Sequence, residues 1–146
     1  MSGDLFTEHQ HIIEAGEAFL AALRQEPRIP MDKLSRMRVK LSSLIRQHRT
    51  TEEEQIFAPL AREGGVGRLP ELETHVQDIM REKARYSVHV RKWTPQAITN
   101  DWTGYIAAVE DLLIGVKRII EKEETSVYKT VLNLAPGTRG AALRRV

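Results

Sequence analysis

The chain of 146 residues contains no cysteine. Disulfide bonds, thiol catalysis and the cysteine-ligated classes of zinc and iron–sulfur site are therefore excluded. No apolar run is long enough to cross a bilayer, and the first residues lack the basic and then apolar pattern of a secretory signal. These absences predict a cytoplasmic protein that does not insert into a membrane.

The charge balance gives little support for a nucleic-acid partner. The formal net charge is only +2, and part of the basic excess lies in the last residues, at Arg139, Arg144 and Arg145. A short basic tail of this kind is typical of a solvated terminus. We therefore expect residues 136–146 to form a basic tail and do not expect nucleic-acid binding.

Four segments carry apolar residues at helical spacing, and no segment alternates as a strand does. Their ends coincide with residues that stop or start helices, namely Pro27, Pro30, Gly64, Gly65, Gly67, Thr94-Pro95, Asn100 as an N-cap, and Pro136-Gly137. The predicted helices cover residues 4–25, 31–62, 70–92 and 101–134. Short connections favour antiparallel neighbours, so residues 1–135 are predicted to be all-α, an up-down-up-down four-helix bundle.

The second helix carries the most informative pair of polar residues. His48 and Glu52 stand four residues apart, so they share one face of the helix. The same face is otherwise apolar and includes Leu41, Leu44, Ile45, Ile56 and Leu60. A histidine and a carboxylate inside a core-facing stripe need hydrogen-bonding or charged partners, because burial without such partners costs free energy of folding.

The apolar stripes of the other helices also contain polar residues. His9 lies in the stripe of the first helix and Glu123 in that of the fourth. The stripe of the third helix is predicted to be Leu72, His75, Ile79, Tyr86, Val90 and Trp93. At about 1.5 Å per residue, antiparallel packing brings His9, His48 and His75 to one level, with Glu52 and Glu123 about a turn away. A bundle uses such facing side chains to build a metal site.

The ligand types narrow the choice of metal. Imidazole and carboxylate without thiolate suit iron or manganese, with zinc as a further candidate. Carboxylates can bridge two ions, and open positions would accept oxygen, nitric oxide or water. His11 lies beside the stripe of the first helix, so His9 is the preferred ligand. His89 falls at the opposite end of the bundle and is excluded, and Glu53 and Glu54 are predicted to face solvent.

Aromatic residues divide between the two ends of the predicted bundle. Phe57 and Tyr128 are predicted to pack a turn beyond the carboxylates and to limit solvent access, or to form ordinary core. The core and helix ends at the other end are predicted to contain Tyr86, Trp93, Trp102 and Tyr105.

These motifs resemble those of the hemerythrin-like (HHE cation-binding) domain. The resemblance covers roughly residues 4–134 and includes the segments Thr7-Glu-His9-Gln-His11-Ile, His48-x3-Glu52-Glu-Glu-x-Ile-Phe-x-Pro-Leu60, Glu73-Thr-His75-x3-Ile and Glu123-Glu-Thr-Ser-Val-Tyr128. The resemblance implies an antiparallel four-helix bundle with a non-haem di-iron centre. Members of the family carry or sense oxygen, react with nitric oxide or peroxide, or store and sense iron. His9, His48, Glu52, His75 and Glu123 match the family's ligand positions, with both glutamates as bridging carboxylates.

The fourth helix departs from the family pattern. The family usually places a histidine four residues before the carboxylate of this helix, and here that position is Ile119. By the resemblance, His9, His48, Glu52 and Glu123 would serve one iron, and the other would keep only His75 and the shared carboxylates. We therefore predict one tightly bound iron, or two bound unequally. Glu71, one turn before His75, is an alternative substitute ligand.

Three functions remain open from the sequence. The leading one is a non-haem iron protein that binds or senses oxygen, nitric oxide, iron or redox state. The second is a bundle that has lost its metal and acts through protein contacts, including contacts with a second copy of itself. Catalysis is the third, and a non-enzymatic role is favoured because the sequence indicates no substrate pocket. Histidine phosphotransfer is disfavoured because no glycine follows the segment from His89 to Lys92.

Overall fold

The computed structural model describes residues 4–63 and 69–134, and within these ranges it is helical and contains no strand. The elements in chain order are α1 (Leu5–Arg24), α2 (Met31–Glu52), a first π-helical turn (Glu53–Phe57), α3 (Ala58–Arg62), α4 (Pro70–Lys92), α5 (Pro95–Asn100), α6 (Trp102–Lys122), a second π-helical turn (Glu123–Val127) and α7 (Tyr128–Leu134). Over these described residues, the prediction of an all-α fold is confirmed. The predicted basic tail, the glycines at 64–67 and Pro136-Gly137 lie outside the described residues.

Side-chain caps fix where several helices begin. The Asp4 carboxylate accepts hydrogen bonds from the backbone N–H groups of Phe6 and Thr7 at 3.0 and 3.1 Å, which satisfies donors that the first turn of α1 would otherwise leave free. The Asp101 carboxylate accepts from the N–H of Gly104 at 3.0 Å and caps α6. The prediction of Asn100 as this N-cap was wrong by one residue, because Asn100 ends the short helix α5.

Two π-helical turns continue α2 and α6 without a break. The Ala58 N–H bonds to the Glu53 carbonyl, and the Tyr128 N–H bonds to the Glu123 carbonyl, five residues back in each case. Such turns insert one extra residue into a helix and are often found at functional sites. Here each one begins at, or directly after, a glutamate of the predicted polar layer.

Two hydrophobic clusters lie on either side of that layer. One joins residues from the end of α1, the start of α2, the end of α4 and the start of α6, including Leu23, Leu34, Trp93 and Trp102. The other joins the start of α1, the first π turn and α3, the start of α4 and the last turns of the chain, including Leu5, Ile56, Leu60, Leu72, Val127 and Val131. Helix α1 contacts α2 and α6, and α4 contacts α6.

The stripe predicted for α4 is buried near its start and again at Trp93, directly after the helix, but Tyr86 and Val90 between them are exposed. Leu72 and His75 are fully buried, whereas Tyr86 and Val90 are 38% and 42% exposed. A straight helix drifts by about 20° per heptad relative to a fixed seven-residue spacing, so the second half of α4 turns its apolar positions toward solvent. No helix within the described residues is long and apolar enough to cross a bilayer.

Candidate metal centre

The five polar residues of the predicted layer are all buried in the core. They are His9, His48, Glu52, His75 and Glu123, and no more than 1% of the surface of each is exposed. Among the described residues, Thr51 is the only other buried polar residue. The five residues come from α1, α2, α4 and the start of the second π turn. Because buried charges need partners, the contacts among them decide what this layer can do.

Four of these residues direct ligand atoms at one point. The atoms offered by His9, His48, Glu52 and Glu123 lie within 4.8 Å of one another. His9 Nε2 lies 2.9 Å from His48 Nε2 and 2.7 Å from Glu123 Oε1, and His48 Nε2 lies 3.3 Å from Glu52 Oε2. Two nitrogens on one tetrahedral ion, each about 2.0–2.1 Å from the metal, would be roughly 3.3 Å apart. The separation of the two histidine nitrogens is close to this spacing, and the four donors together could hold one metal ion.

A carboxylate orients each of the two histidines. His9 Nδ1 lies 2.7 Å from Glu124 Oε2, and His48 Nδ1 lies 2.8 Å from Glu8 Oε1. Glu8 in turn accepts a hydrogen bond from the Thr51 hydroxyl at 3.0 Å. Carboxylates on the second nitrogen are the usual support of metal-ligating histidines, since they fix the tautomer and the ring orientation. Both histidines therefore direct Nε2 at the common point.

Glu8 and Glu124 in this supporting role are contacts that sequence reasoning missed. Each directly neighbours a predicted ligand, Glu8 beside His9 and Glu124 beside Glu123. Neighbouring residues on a helix point about 100° apart, so adjacency in sequence gave no indication that either would reach a histidine on another helix.

Arg49 is the second feature that the sequence did not reveal. Its Nη1 lies 2.5 Å from Glu52 Oε1 and 2.9 Å from Glu123 Oε2, so one guanidinium nitrogen bridges the two buried carboxylates. The Arg49 side chain is 26% exposed, so it lies partly at the surface while its guanidinium group contacts the buried layer. Surface arginines are common beside acidic residues, and the charge pattern alone would place Arg49 in solvent.

His75 lies beside this group rather than in it. Its Nε2 is 2.8 Å from Glu123 Oε2, the oxygen that also contacts Arg49. Its Nδ1 is buried and has no hydrogen-bond partner among the described residues. His75 therefore lacks the supporting carboxylate that both His9 and His48 have.

Tyr128 contacts the ligand oxygens directly. Its hydroxyl donates to Glu52 Oε2 at 2.6 Å and lies 3.2 Å from His9 Nε2, and its ring stacks on that of His9 with centroids 5.6 Å apart. The sequence predicted that Tyr128 packs a turn beyond the carboxylates, either to limit solvent access or as ordinary core; it is buried in the hydrophobic cluster that contains Leu5 and Ile56. Phe57 is only half-buried and lies near His75, with ring centroids 6.4 Å apart.

The electrostatics of the layer favour charged forms in the metal-free protein. Burial alone would lower the pKa of His48, but hydrogen bonds to Glu123, Glu52 and Glu8 outweigh it and raise this pKa to about 11. Burial would raise the pKa of Glu123, but His48, His75, His9 and Arg49 hold it well below its ordinary value. Without metal, a protonated His48 therefore lies beside the ionised carboxylate of Glu123.

The remaining candidate residues lie away from this group. His11 is exposed, as are Glu53 and Glu54. Glu71, the alternative ligand, contacts the hydroxyls of Ser126 and Thr130 instead. His89 stacks on Tyr105 at the other end of the molecule, with centroids 5.7 Å apart.

The position of the missing fourth-helix histidine is filled by an apolar side chain. Ile119 is buried, with 6% of its surface exposed, and offers no ligand atom. It also lines a surface cavity between α4 and α6, together with Asp78, Arg81, Glu82, Gly115 and Arg118. The side of the layer that contains His75 is therefore poorer in donors than the side that contains His9 and His48.

The described part of the chain is helical and contains a buried group of histidines and carboxylates that could hold a metal ion. Nitrogen and oxygen donors without thiolate suit iron, manganese or zinc. No protein-family model, curated protein or solved structure matches the chain. Its function must therefore be inferred from the geometry of the site.

Proposed function

We propose that this protein is a hemerythrin-like metal-binding bundle that holds one non-haem iron ion at His9, His48, Glu52 and Glu123. The convergence of these four ligand atoms within 4.8 Å carries the proposal. The carboxylates that contact Nδ1 of both histidines also support the proposal, because this contact holds each ring with its Nε2 directed at the common point, as in metal-ligating histidines.

We infer that the four long helices run up, down, up and down. The inference is supported by the two hydrophobic clusters, since each combines the end of one long helix with the start of the next. The indole N–H of Trp102, at the start of α6, also donates to the carbonyl of Leu23, near the end of α1, at 2.9 Å. In this arrangement the polar layer crosses the bundle nearer to the start of α1.

A small diatomic ligand such as oxygen or nitric oxide is the partner that best suits this centre. Bound iron would supply coordination positions that the protein leaves open, and such a ligand fits where a larger substrate would not. Among the described residues, the donors are enclosed by the apolar cluster around Leu5, Ile56 and Val127 on one side. Tyr128 remains a neutral phenol beside them, because burial and the charges of Glu123 and Glu52 raise its pKa. Binding or sensing therefore suits the site better than turnover of a substrate.

A second candidate, a metal-free bundle that acts through protein contacts, also has an observation in its favour. Arg49 and a protonated His48 already compensate the charges of Glu52 and Glu123. A charge-compensated, hydrogen-bonded network can be retained in a core without any metal. The two candidates differ in one measurable property, which is whether metal stabilises the fold.

The test is a thermal-unfolding series with ferrous iron added under anaerobic conditions. An ion that binds only the native state at about a thousand times its dissociation constant adds about 4 kcal/mol to the free energy of unfolding, or roughly 8–16 °C in Tm at this size. We expect His9→Ala to abolish this increase and His11→Ala, an exposed histidine on the same helix, to keep it. The same Tm with iron and with chelator in the wild-type protein would favour the metal-free candidate.

The ligand is tested separately on the iron-loaded protein. We expect exposure to oxygen or nitric oxide to produce a visible charge-transfer band in the wild type and in His11→Ala. The band should be missing in His48→Ala. An iron-loaded wild type whose spectrum responds to neither gas would refute the diatomic ligand while leaving the metal centre intact.

A further inference from the structure

The two buried carboxylates each divide their oxygens between two sides of the layer. Glu123 Oε1 lies 2.7 Å from His9 Nε2, while its Oε2 lies 2.9 Å from Arg49 Nη1. Glu52 Oε2 lies 3.3 Å from His48 Nε2, while its Oε1 lies 2.5 Å from Arg49 Nη1. One oxygen of each carboxylate thus faces the paired histidines, and the other faces the arginine.

Two carboxylates that bridge two cations place their oxygens in the same way, with one oxygen of each carboxylate toward each cation. A carboxylate that bridges two metal ions gives one oxygen to each ion. Here the first position is surrounded by His9 and His48, and a single nitrogen of Arg49 occupies the second. The guanidinium group always carries a positive charge. Because it belongs to the chain, it does not dissociate from the site, whereas a metal ion can.

With Arg49 present, the surroundings of the second position disfavour a metal ion, and without Arg49 they would hold one more weakly than the first position does. The only histidine there, His75, has a buried Nδ1 with no partner in the described part of the chain, and position 119 offers an isoleucine. A divalent ion between the same oxygens would lie close to the guanidinium, and like charges at that separation in a poorly solvated layer repel strongly. The second position has few donors and already contains a positive charge.

We propose that Arg49 replaces a second metal ion, so that Glu52 and Glu123 bridge one metal ion and this arginine. The proposal rests on the proposed metal centre and adds that the centre is limited to one ion by a residue of α2. It accounts for an isoleucine at position 119, since a second set of metal ligands would have no ion to bind.

Metal stoichiometry of Arg49 variants tests this directly, with manganous and ferrous ions as probes. With excess metal we expect one ion per chain in the wild type and two in Arg49→Met, which frees Glu52 Oε1 and Glu123 Oε2 and leaves His75 to complete the position. Arg49→Lys keeps the positive charge and should remain at one. Arg46→Met, an exposed arginine one turn earlier on α2, is the matched control and should also remain at one.

Manganese also gives a readout that does not depend on counting ions. We expect the paramagnetic resonance spectrum of an isolated ion in the wild type and that of two coupled ions in Arg49→Met. The double variant Arg49→Met/His75→Ala should return to the isolated-ion spectrum. An isolated ion in both the wild type and a folded Arg49→Met would overturn the role of Arg49 and leave the metal centre standing.

The wild type alone also tests the proposal, should Arg49→Met fail to fold. Two ions per chain in the wild type would overturn the replacement of a metal by Arg49 while supporting a metal centre. No ion in the wild type or in any variant would overturn both. One ion that persists in excess metal, in the wild type and in Arg49→Lys, is the expected result.

Discussion

Replacing Glu123 by glutamine in the metal-free protein should destabilise the fold markedly. The carboxylate of Glu123 lies within hydrogen-bonding distance of His9, His48, His75 and Arg49, at 2.7 to 3.4 Å. Glutamine keeps the shape of the side chain, removes its charge and replaces one acceptor oxygen with a donor group. The partners that need an ionised acceptor would then be left in a buried layer without one.

The expected cost follows from these contacts. Removing one partner of a buried ion pair costs about 3–5 kcal/mol. Arg49 keeps Glu52 as a partner and is 26% exposed, so we expect the lower end, about 3 kcal/mol. At this chain length each kcal/mol changes Tm by roughly 2–4 °C, which gives a decrease of about 6–12 °C.

The assay is thermal unfolding in excess chelator, followed by circular dichroism. Glu121→Gln is the matched control, because Glu121 lies on the same helix and faces solvent. Surface substitutions of this kind usually stay within about 0.5 kcal/mol. The same Tm in both variants would refute the network of contacts around Glu123, whether or not the protein binds metal.

Two further predictions follow from the same contacts. Tyr128→Phe removes the hydrogen bond to Glu52 and should lower the free energy of unfolding, measured in urea, by about 1.5–3 kcal/mol. Tyr86→Phe, at an exposed tyrosine, is the control and should lower it less. Equal decreases in the two variants would contradict the assigned contact. The metal-induced increase in Tm should grow between pH 6.5 and about pH 8.5, because metal must displace a proton from His48. The pKa of His48 is raised to about 11 from 6.5, so the stability that its proton gives the metal-free protein is complete below pH 6.5 and is lost as pH rises toward 11. A metal-induced increase in Tm that shrinks over this range would be inconsistent with a protonated His48.

The helical framework could be predicted because apolar spacing and helix-ending residues are local signals. Leu5, Ile12, Phe19 and Leu23 repeat at helical spacing, and all are buried. The two π turns could not be predicted, since an extra backbone residue leaves the residue pattern almost unchanged. The exposed second half of α4 was missed because Tyr86 and Val90 keep an apolar spacing that drifts off the buried face.

The candidate site was only partly readable from the sequence. Helix rise and the antiparallel packing predicted from the sequence place His9, His48 and His75 at one level, and all three are buried. The contact of Arg49 with Glu52 has an i,i+3 spacing that the sequence does offer as a signal. The contacts of Arg49 with Glu123 and of Glu8 with His48 join different elements, and no spacing within one helix indicates them. Arginine and glutamate usually face solvent, so residue type alone does not place Arg49 or Glu8 in the layer.

The most direct test of the metal centre is the metal content of the protein purified anaerobically and measured by elemental analysis for iron, manganese and zinc. Glu52→Gln removes a proposed ligand, and Glu53→Gln changes the exposed neighbouring carboxylate as a control. We predict about one iron per chain in the wild type and in Glu53→Gln, and almost none in Glu52→Gln. Absence of metal from the wild type after reconstitution, or equal metal content in the two variants, would contradict the account.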